Sequence, residues 1–208
     1  MSGVIGLDQQ VKSGLFGFPS GHVIQIKHKQ MTDKLTYAQT AAVFRTAVAG
    51  LFVDIRPSST TSKIVVFGQL AMGFSGTPEW AWFIDREASN TSANSWVTQG
   101  ASATADSMNE STRALLGTAG SRSGNQAFGY HGGPNDGNAA SRTDDVFSYA
   151  NVVEDTPGTT NVCRYQINLM NNWTGNTTVH VNRSGNDANS GYATSGSSSI
   201  TVMEVVAA

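Results

Sequence analysis

The sequence feature that most constrains the fold is a period-two run at positions 162–169. Apolar side chains alternate there with polar ones, which is the pattern of a β-strand that buries one face and exposes the other to water. Two further strand-like runs follow at 178–184 and 199–206, separated by a turn at 170–176 and a polar loop at 185–198. We therefore expect the chain to end in antiparallel strands, with its C-terminus inside the fold.

The composition favours a β-rich protein. Of the 208 residues, 39% are hydrophobic, which is enough for a core, and only 13% are charged. Ser, Thr, Asn and Gly must then supply most of the surface, and this suits strands and turns better than helices stabilised by Glu–Lys pairs. We predict an all-β fold, an antiparallel β-sandwich or jelly-roll-like knob over residues 22–208, preceded by an extended N-terminal arm over residues 1–21.

Several earlier segments also have strand character. The apolar segment 63–72 is the best candidate for a central strand, whereas 35–55 is ambiguous, because its alanines fit a helix and its end fits a strand. Capping-box spacing and a following glycine predict one short helix over 108–116, inside long polar loops that occupy 88–145. A turn is expected at 154–158. The remaining predicted strands are 22–29, 50–56, 79–86 and 146–152.

The N-terminal arm carries apolar residues in a glycine-rich context. Val4 and Ile5, and again Leu15 and Phe16, lie between glycines in a segment that is too glycine-rich to form a stable helix or core strand. Such side chains need another surface to cover them. We interpret the arm as a docking segment for a partner or a neighbouring subunit, and the alternative is a flexible leader of the kind common at chain ends.

Charge and cysteine content argue against several classes of protein. With a net charge of -2 and no Lys/Arg cluster, the chain has no positively charged surface to attract the phosphates of nucleic acid. The single cysteine, Cys163, cannot form an intrachain disulfide, and its alternating position predicts a buried apolar side chain. The N-terminus lacks the basic start and apolar stretch of a signal peptide, and no segment reads as a membrane span. We expect no nucleic-acid partner and no membrane insertion.

The sequence predicts no catalytic residue, no metal site, no cofactor and no enzymatic activity. The glycine–serine segments 73–77 and 120–124 both miss the spacing of a nucleophile elbow. The four histidines are scattered without a second ligand at metal spacing. His180 is placed on the polar face of its strand, opposite Val179 and Val181, so a structural role is the simpler interpretation.

Aromatic residues supply the candidates for surface contacts. Trp80 and Trp82 share a strand face with Ile84, so we expect them to pack in the core and not to form a sugar-stacking platform. The residues predicted to be available for contact lie in polar loops: Trp96, Tyr130, His131 and Tyr192.

Five short stretches carry a resemblance in their order along the chain: 22–25, 55–66, 155–158 leading to Tyr165, 181–184 and 197–204. Together they resemble a family of small β-rich virion structural proteins found in bacteriophages of marine bacteria and cyanobacteria. The ending Ser-Ile-Thr-Val-Met-Glu at 199–204 is the most specific of them. The segment 88–145 is longer and more irregular than the family pattern.

The resemblance implies a non-enzymatic knob on the virion surface, assembled in the bacterial host cytoplasm and expected to be a homotrimer. It implies other virion proteins as partners, either the major capsid protein or tail components. A capsid decoration protein is the favoured function, because the chain is short and begins with a docking-type arm. The alternatives are a tail-fibre or receptor-binding tip that contacts a host surface glycan, and a carbohydrate-binding module or glycan-active enzyme.

Overall fold

The computed structural model describes residues 19–38, 44–75, 80–89, 96–98, 145–171, 178–187 and 193–207. These residues form ten β-strands and no helix. In chain order the strands are β1 (Val23–Met31), β2 (Leu35–Ala38), β3 (Phe44–Ile55), β4 (Lys63–Ser75), β5 (Trp80–Ser89), β6 (Trp96–Thr98), β7 (Phe147–Asp155), β8 (Cys163–Asn171), β9 (Thr178–Val181) and β10 (Ser198–Val205).

The strands form two antiparallel sheets. The six-stranded sheet has the order β1-β10-β4-β9-β2, with β7 on the other side of β4. The four-stranded sheet has the order β3-β8-β5-β6. Along β4, the pairing with β10 covers residues 63–69 and the pairing with β9 covers residues 72–75. Strands β10 and β9 therefore follow one another beside β4 and leave a junction between them.

The hydrophobic core lies between the two sheets. Alternate residues of β4 and β10 point into it, and so do Trp82 and Ile84 of β5 and the alternating residues of β8. Cys163 and Tyr165 are completely buried there. Because one face of each sheet is covered in this way, the arrangement is a β-sandwich, and the predicted all-β class is confirmed.

Most of the strand predictions are confirmed. Strands β1, β4, β5, β7, β8 and β10 lie where expected, and β4 is central, with neighbours on both sides. The core positions predicted for Trp82 and Cys163 are also confirmed. The side chain of Trp80 lies outside the description, as does the predicted helix at 108–116. No helix in the described part of the chain is long and apolar enough to cross a membrane.

The structure resolves the ambiguous region, corrects one prediction and shows how the terminal strands pair. The ambiguous region is strand over Leu35–Ala38 and from Phe44 onwards; Ala47 pairs with Asn168 of β8, and the ladder resumes at Phe52 after an irregularity. Glu154 and Asp155 belong to β7 and not to a turn, and Asp155 is buried. The three terminal strands do not pair with one another: β8 lies in the four-stranded sheet, while β9 and β10 both pair with β4. Long-range pairing overrides sequence adjacency here.

Candidate functional site

A polar cluster lies at one end of the six-stranded sheet, around His180 of β9. Strand β9 runs between β2 and β4, which places His180 opposite Thr36 on one side and Gly73 on the other. His180 Nε2 lies 2.9 Å from Ser75 Oγ. His180 Nδ1 lies 2.9 Å from Arg183 Nη2 and 3.3 Å from Thr36 Oγ1. The residues of this His180 cluster thus come from three strands and the loop after β9.

The contact with Arg183 decides the protonation state of His180. A guanidinium can only donate hydrogen bonds, so Nδ1 must offer its lone pair and the proton of the neutral ring must sit on Nε2. Burial lowers the pKa of His180, and the charge of Arg183 lowers it further, against a weaker opposing effect of Asp187. His180 is therefore a neutral donor to Ser75. A general base would need its lone pair on that side, so this Ser–His contact is not arranged as an activated nucleophile.

The outer side of the His180 cluster is closed by ion pairs. Asp187 accepts from Lys34 at 2.7 Å and from Arg183 at 2.9 Å. These hydrogen bonds hold the pKa of Asp187 below its usual value, and the bond from Lys34 contributes most. Arg183 also donates to Thr36 at 2.9 Å. Through these bonds the cluster connects the loop after β9 to β2 and to the loop that precedes β2.

His180 was predicted to lie on the polar face of its strand; its partners Ser75, Thr36 and Arg183 are polar, but that face is not exposed to water. Its exposed fraction is 5%, because Val179, His180 and Val181 are all buried between β2, β4 and the following loop. The alternation of Val179 and Val181 around His180 indicates only that neighbouring side chains point to opposite sides. It carries no information on whether the second side is covered by a loop.

Gly73 of β4 permits the close approach of that loop. A Cβ atom at position 73 would overlap the Arg183 carbonyl oxygen and lie 2.7 Å from Ser184 Cα. Both obstacles are backbone, and Ser184 is itself held by a hydrogen bond from its amide to Thr194 O. The strand and the loop can therefore pack in this way only if position 73 has no side chain.

We expect Gly73→Ala to lower the free energy of unfolding by about 2 kcal/mol, because the loop must shift to relieve the overlap. Chemical denaturation of the two proteins would measure the difference. Gln69→Ala, on an exposed position of the same strand, is the control and should change stability by no more than about 0.5 kcal/mol. Equal stability of the Gly73→Ala and parent proteins would contradict this packing.

Asn182 fills the junction between β9 and β10. It has a φ of 61° and is completely buried. Its Nδ2 donates to the carbonyl oxygens of Met31 and Asp33, both at 3.0 Å. Its Oδ1 accepts from Ser198 Oγ at 2.6 Å, and its amide donates to Ala71 O at 2.9 Å. One side chain thus connects the end of β1, the loop after it and the start of β10.

A second buried polar group, Glu204, lies at the opposite end of β10. Its carboxylate accepts from Gln25 Nε2 at 2.5 Å, and from Ser58 N, Ser58 Oγ and Ser62 Oγ at 2.6 Å each. Burial alone would raise the pKa of Glu204, but these hydrogen bonds outweigh it and the pKa is lowered. The carboxylate therefore holds β1 and the loop between β3 and β4 against β10.

Asp155 of β7 pairs with Ile64 of β4, and Ile64 pairs on its other side with Glu204 of β10. Asp155 and Glu204 therefore lie in the same row across the sheet. Asp155 Oδ2 accepts from Tyr165 Oη at 2.6 Å and lies 3.0 Å from Arg86 Nη1, so it links the two sheets. Burial raises the pKa of Asp155, against the opposing effects of Tyr165 and Arg86. Both buried carboxylates thus act as connectors between strands. The described residues contain no group of His, Cys, Asp or Glu suited to a metal ion.

Four of the five exposed large hydrophobic residues in the described part of the chain lie on the outer face of the six-stranded sheet. Ile26 is 60% exposed, Val152 54%, Phe67 41% and Val23 40%. Strand register places these side chains on the face opposite the core, in adjacent rows across β1, β10, β4 and β7. We call this surface the outer apolar patch; its members are Val23, Ile26, Val65, Phe67, Val152 and Met203.

The border of the outer apolar patch is polar and internally paired. Lys63 and Glu154 form an ion pair at 2.6 Å, His28 contacts Thr201 at 2.8 Å, and Gln69 donates to Ser148 at 2.8 Å. A contiguous apolar surface with a polar border is typical of an interaction site. This surface was not predicted, because its members belong to four strands whose order in the sheet cannot be read from the sequence.

The contact residues predicted from the sequence are not tested by the structure. Val4, Ile5, Leu15 and Phe16 of the arm lie outside the described residues. Tyr130, His131 and Tyr192 do as well. Trp96 was placed in a polar loop and is instead the first residue of strand β6; its side chain lies outside the description. Residues 19–21, which were assigned to the arm, form a turn attached to the sheet, because Gly21 N donates to Val206 O at 3.0 Å.

Comparison with known proteins yields structural likeness only. No family model matches the chain, and no curated protein does. The structure of infectious bursal disease virus Gt strain is similar over 89% of this chain and 39% of that chain, with a TM-score of 0.34 and 9% identity. The structure of the Gx strain is similar over 88% of this chain and 43% of that chain, with a TM-score of 0.34 and 7% identity. The crystal structure of the VP2 subviral particle of that virus is similar over 88% of this chain and 42% of that chain, with a TM-score of 0.32 and 7% identity. This chain thus spans about two fifths of the length of those chains.

Proposed function

We propose that the protein is a non-enzymatic structural component of a bacteriophage particle: a β-sandwich knob on the virion surface, attached through its N-terminal arm. Its favoured place is the capsid, as a decoration protein that contacts the major capsid protein. The apolar arm residues Val4, Ile5, Leu15 and Phe16 are the candidate contacts. A homotrimer is the proposed assembly, by resemblance to virion knobs.

The observation that carries the proposal is the position of the stretches that resemble phage virion proteins. Three of them, 22–25, 55–66 and 197–204, are far apart in sequence and meet at Glu204, through its hydrogen bonds with Gln25, Ser58 and Ser62. Another pair of matching residues, Asp155 and Tyr165, is hydrogen-bonded nearby. Short matches that come together in one bonded network are better explained by a shared fold than by chance.

The chemistry of the His180 cluster supports the non-enzymatic part of the proposal. The serine and histidine in contact there have the proton on the side where a catalytic base would need a lone pair. Their neighbours Arg183 and Thr36 connect the loop to β2, and the cluster is explained by that role.

Reconstruction of phage particles with and without the protein would test the proposed location. Extra density on the capsid is the expected result, and density confined to the tail would contradict the decoration function and favour a tail-fibre tip. Deletion of residues 1–18, which leaves the turn at 19–22 intact, should abolish incorporation while the knob stays folded by circular dichroism. Unchanged incorporation of that variant would contradict attachment through the arm.

A further inference from the structure

The six-stranded sheet has two long outer strands, β1 and β7, of nine residues each. In the described part of the chain, β1 pairs only with β10 and β7 only with β4. The other outer strands are poorer templates for a further strand. Strands β2 and β6 have four and three residues, and the carbonyl oxygens of Asp54 and Arg56, at the end of β3, accept from side chains of β1.

The backbone groups that point outward from β1 and β7 follow from one hydrogen bond. Val152 N donates to Asn151 Oδ1 at 2.8 Å, so this amide faces away from β4. In an antiparallel sheet, bonded and non-bonded pairs alternate along each ladder and across each row. His28 ends the row that contains Thr201, Phe67 and Val152, so its backbone groups also point outward. By the same alternation the outward residues are Ile26, His28 and Gln30 on β1, and Ser148, Ala150, Val152 and Glu154 on β7.

The outer apolar patch extends to both of these edges. Its two most exposed members are Ile26 on β1, which is 60% exposed, and Val152 on β7, which is 54% exposed. They lie at opposite sides of one sheet face, so a single chain cannot bring them together. A second copy can do so if its β7 lies beside β1 of the first.

Strand direction and charge favour this pairing over the pairing of like edges. The three ladders that lead from β1 to β7 are all antiparallel, so β1 and β7 run in opposite directions. A copy rotated about an axis parallel to the strands therefore presents its β7 antiparallel to β1. Two β1 strands would instead set Lys27 and Lys29 against the same residues, and like charges opposite one another are destabilising. Two β7 strands would leave Ile26 uncovered.

We propose that β1 of one copy pairs with β7 of the next copy of the same chain, with Ile26 opposite Val152. The outward residues of the two strands then exchange backbone hydrogen bonds, and Ile26 O replaces Asn151 Oδ1 as the acceptor of Val152 N. This register sets Lys27 and Lys29 opposite uncharged side chains of β7. The outer apolar patches of neighbouring copies join across the interface.

The interface uses two different edges, so the copies are arranged head to tail. Such interfaces close into rings or continue as filaments. Closure after three copies gives the homotrimer of the proposed function, and only this number rests on that proposal. The pairing of the edges belongs to the free protein and does not depend on a virion.

Cross-linking of full-length single-cysteine variants tests the pairing. Ile26→Cys and Val152→Cys, co-expressed with tags of different size, should give a covalent dimer of one chain of each kind with a short bismaleimide. Neither variant alone should give a dimer, and the parent protein is the blank, because Cys163 is buried. Absence of the mixed dimer, or equal cross-linking of either variant alone, would overturn the proposal. With both substitutions in one chain, a covalent trimer is expected, and a longer series of products would contradict the homotrimer and not the edge pairing.

Proline at position 150 tests the same interface without a label. The amide of Ala150 points away from β4, so Ala150→Pro removes no hydrogen bond of the β4 ladder but removes a donor of the interface. We expect this variant to be a monomer by light scattering, with the circular dichroism of the parent, whereas the parent and Ala150→Ser form the oligomer. A monomeric parent, or a folded Ala150→Pro that still assembles, would overturn the proposal. If Ala150→Pro does not fold, the cross-linking result decides. Both experiments use the free protein, so they can fail while particle incorporation succeeds.

Discussion

Replacement of Asn182 by alanine should lower the free energy of unfolding by about 4 kcal/mol. The substitution removes two donors from the carbonyl oxygens of Met31 and Asp33 and the acceptor of Ser198, all at a junction closed to water. It also places a residue with a Cβ, and without the local hydrogen bonds of asparagine, at a φ of 61°. Urea denaturation followed by tryptophan fluorescence would measure the loss.

The variant Asn182→Gly separates the two causes. Glycine adopts the positive φ without strain, so this variant should be more stable than Asn182→Ala by about 1–2 kcal/mol, yet still well below the parent. If Asn182→Gly were as stable as the parent, the side-chain bonds across the junction would contribute nothing and the role given to Asn182 would be wrong.

Truncation of Glu204 to alanine should cost about 3 kcal/mol at neutral pH. Glu204 is completely buried, and its loss leaves the hydroxyl of Ser62 and the amide and hydroxyl of Ser58 without their acceptor. Thermal unfolding would report the change. Glu154→Ala is the matched control. Glu154 is exposed on strand β7, and its ion pair with Lys63 should contribute less than about 1 kcal/mol to the free energy of unfolding. A larger loss for Glu154 than for Glu204 would contradict this assignment.

The pH dependence of stability should carry the signature of Glu204. Its pKa is lowered from 4.5 in the folded protein, so the unfolded chain binds the proton more tightly. The stabilisation is then present above pH 4.5 and is lost as the pH falls through the lower folded-state pKa. Glu204→Gln should flatten the stability profile on the acid side. Asp155 has a raised pKa and contributes the opposite slope, so the difference between parent and variant isolates Glu204.

Local pattern was sufficient to find most strands and insufficient to arrange them. Strand β8 buries one face against the other sheet, and that face appears in the sequence as period-two alternation, whereas β4 appears as an apolar run. The alanines of β3 carry no such signal, since a small side chain fits either a helix or a strand, and pairing with β8 decides between them. Sheet order depends on contacts between distant segments, which alternation does not encode.

The burial of the polar residues Asn182 and Glu204 could not be predicted for a related reason. Asn182 and Glu204 look like surface residues in the sequence because polar side chains are usually exposed. Each is buried because donors or acceptors from other segments meet it, at sequence separations of 142 to 179 residues for Glu204 and of 16 to 151 residues for Asn182. A left-handed asparagine directly after a strand was the one local signal for Asn182, and it becomes visible only when the backbone is known.

Strand β10 lies between β1 and β4, which has a consequence for the order of folding. Residues 198–205 are synthesised after every other described strand, yet they are hydrogen-bonded to the first strand on one side and to the central strand on the other. Until they emerge, β1 has no neighbour in its sheet and β4 has an open edge. Such edges are templates for pairing with other chains. The six-stranded sheet must therefore close after translation of β10, and a nascent chain stalled before residue 198 should aggregate where the full chain folds.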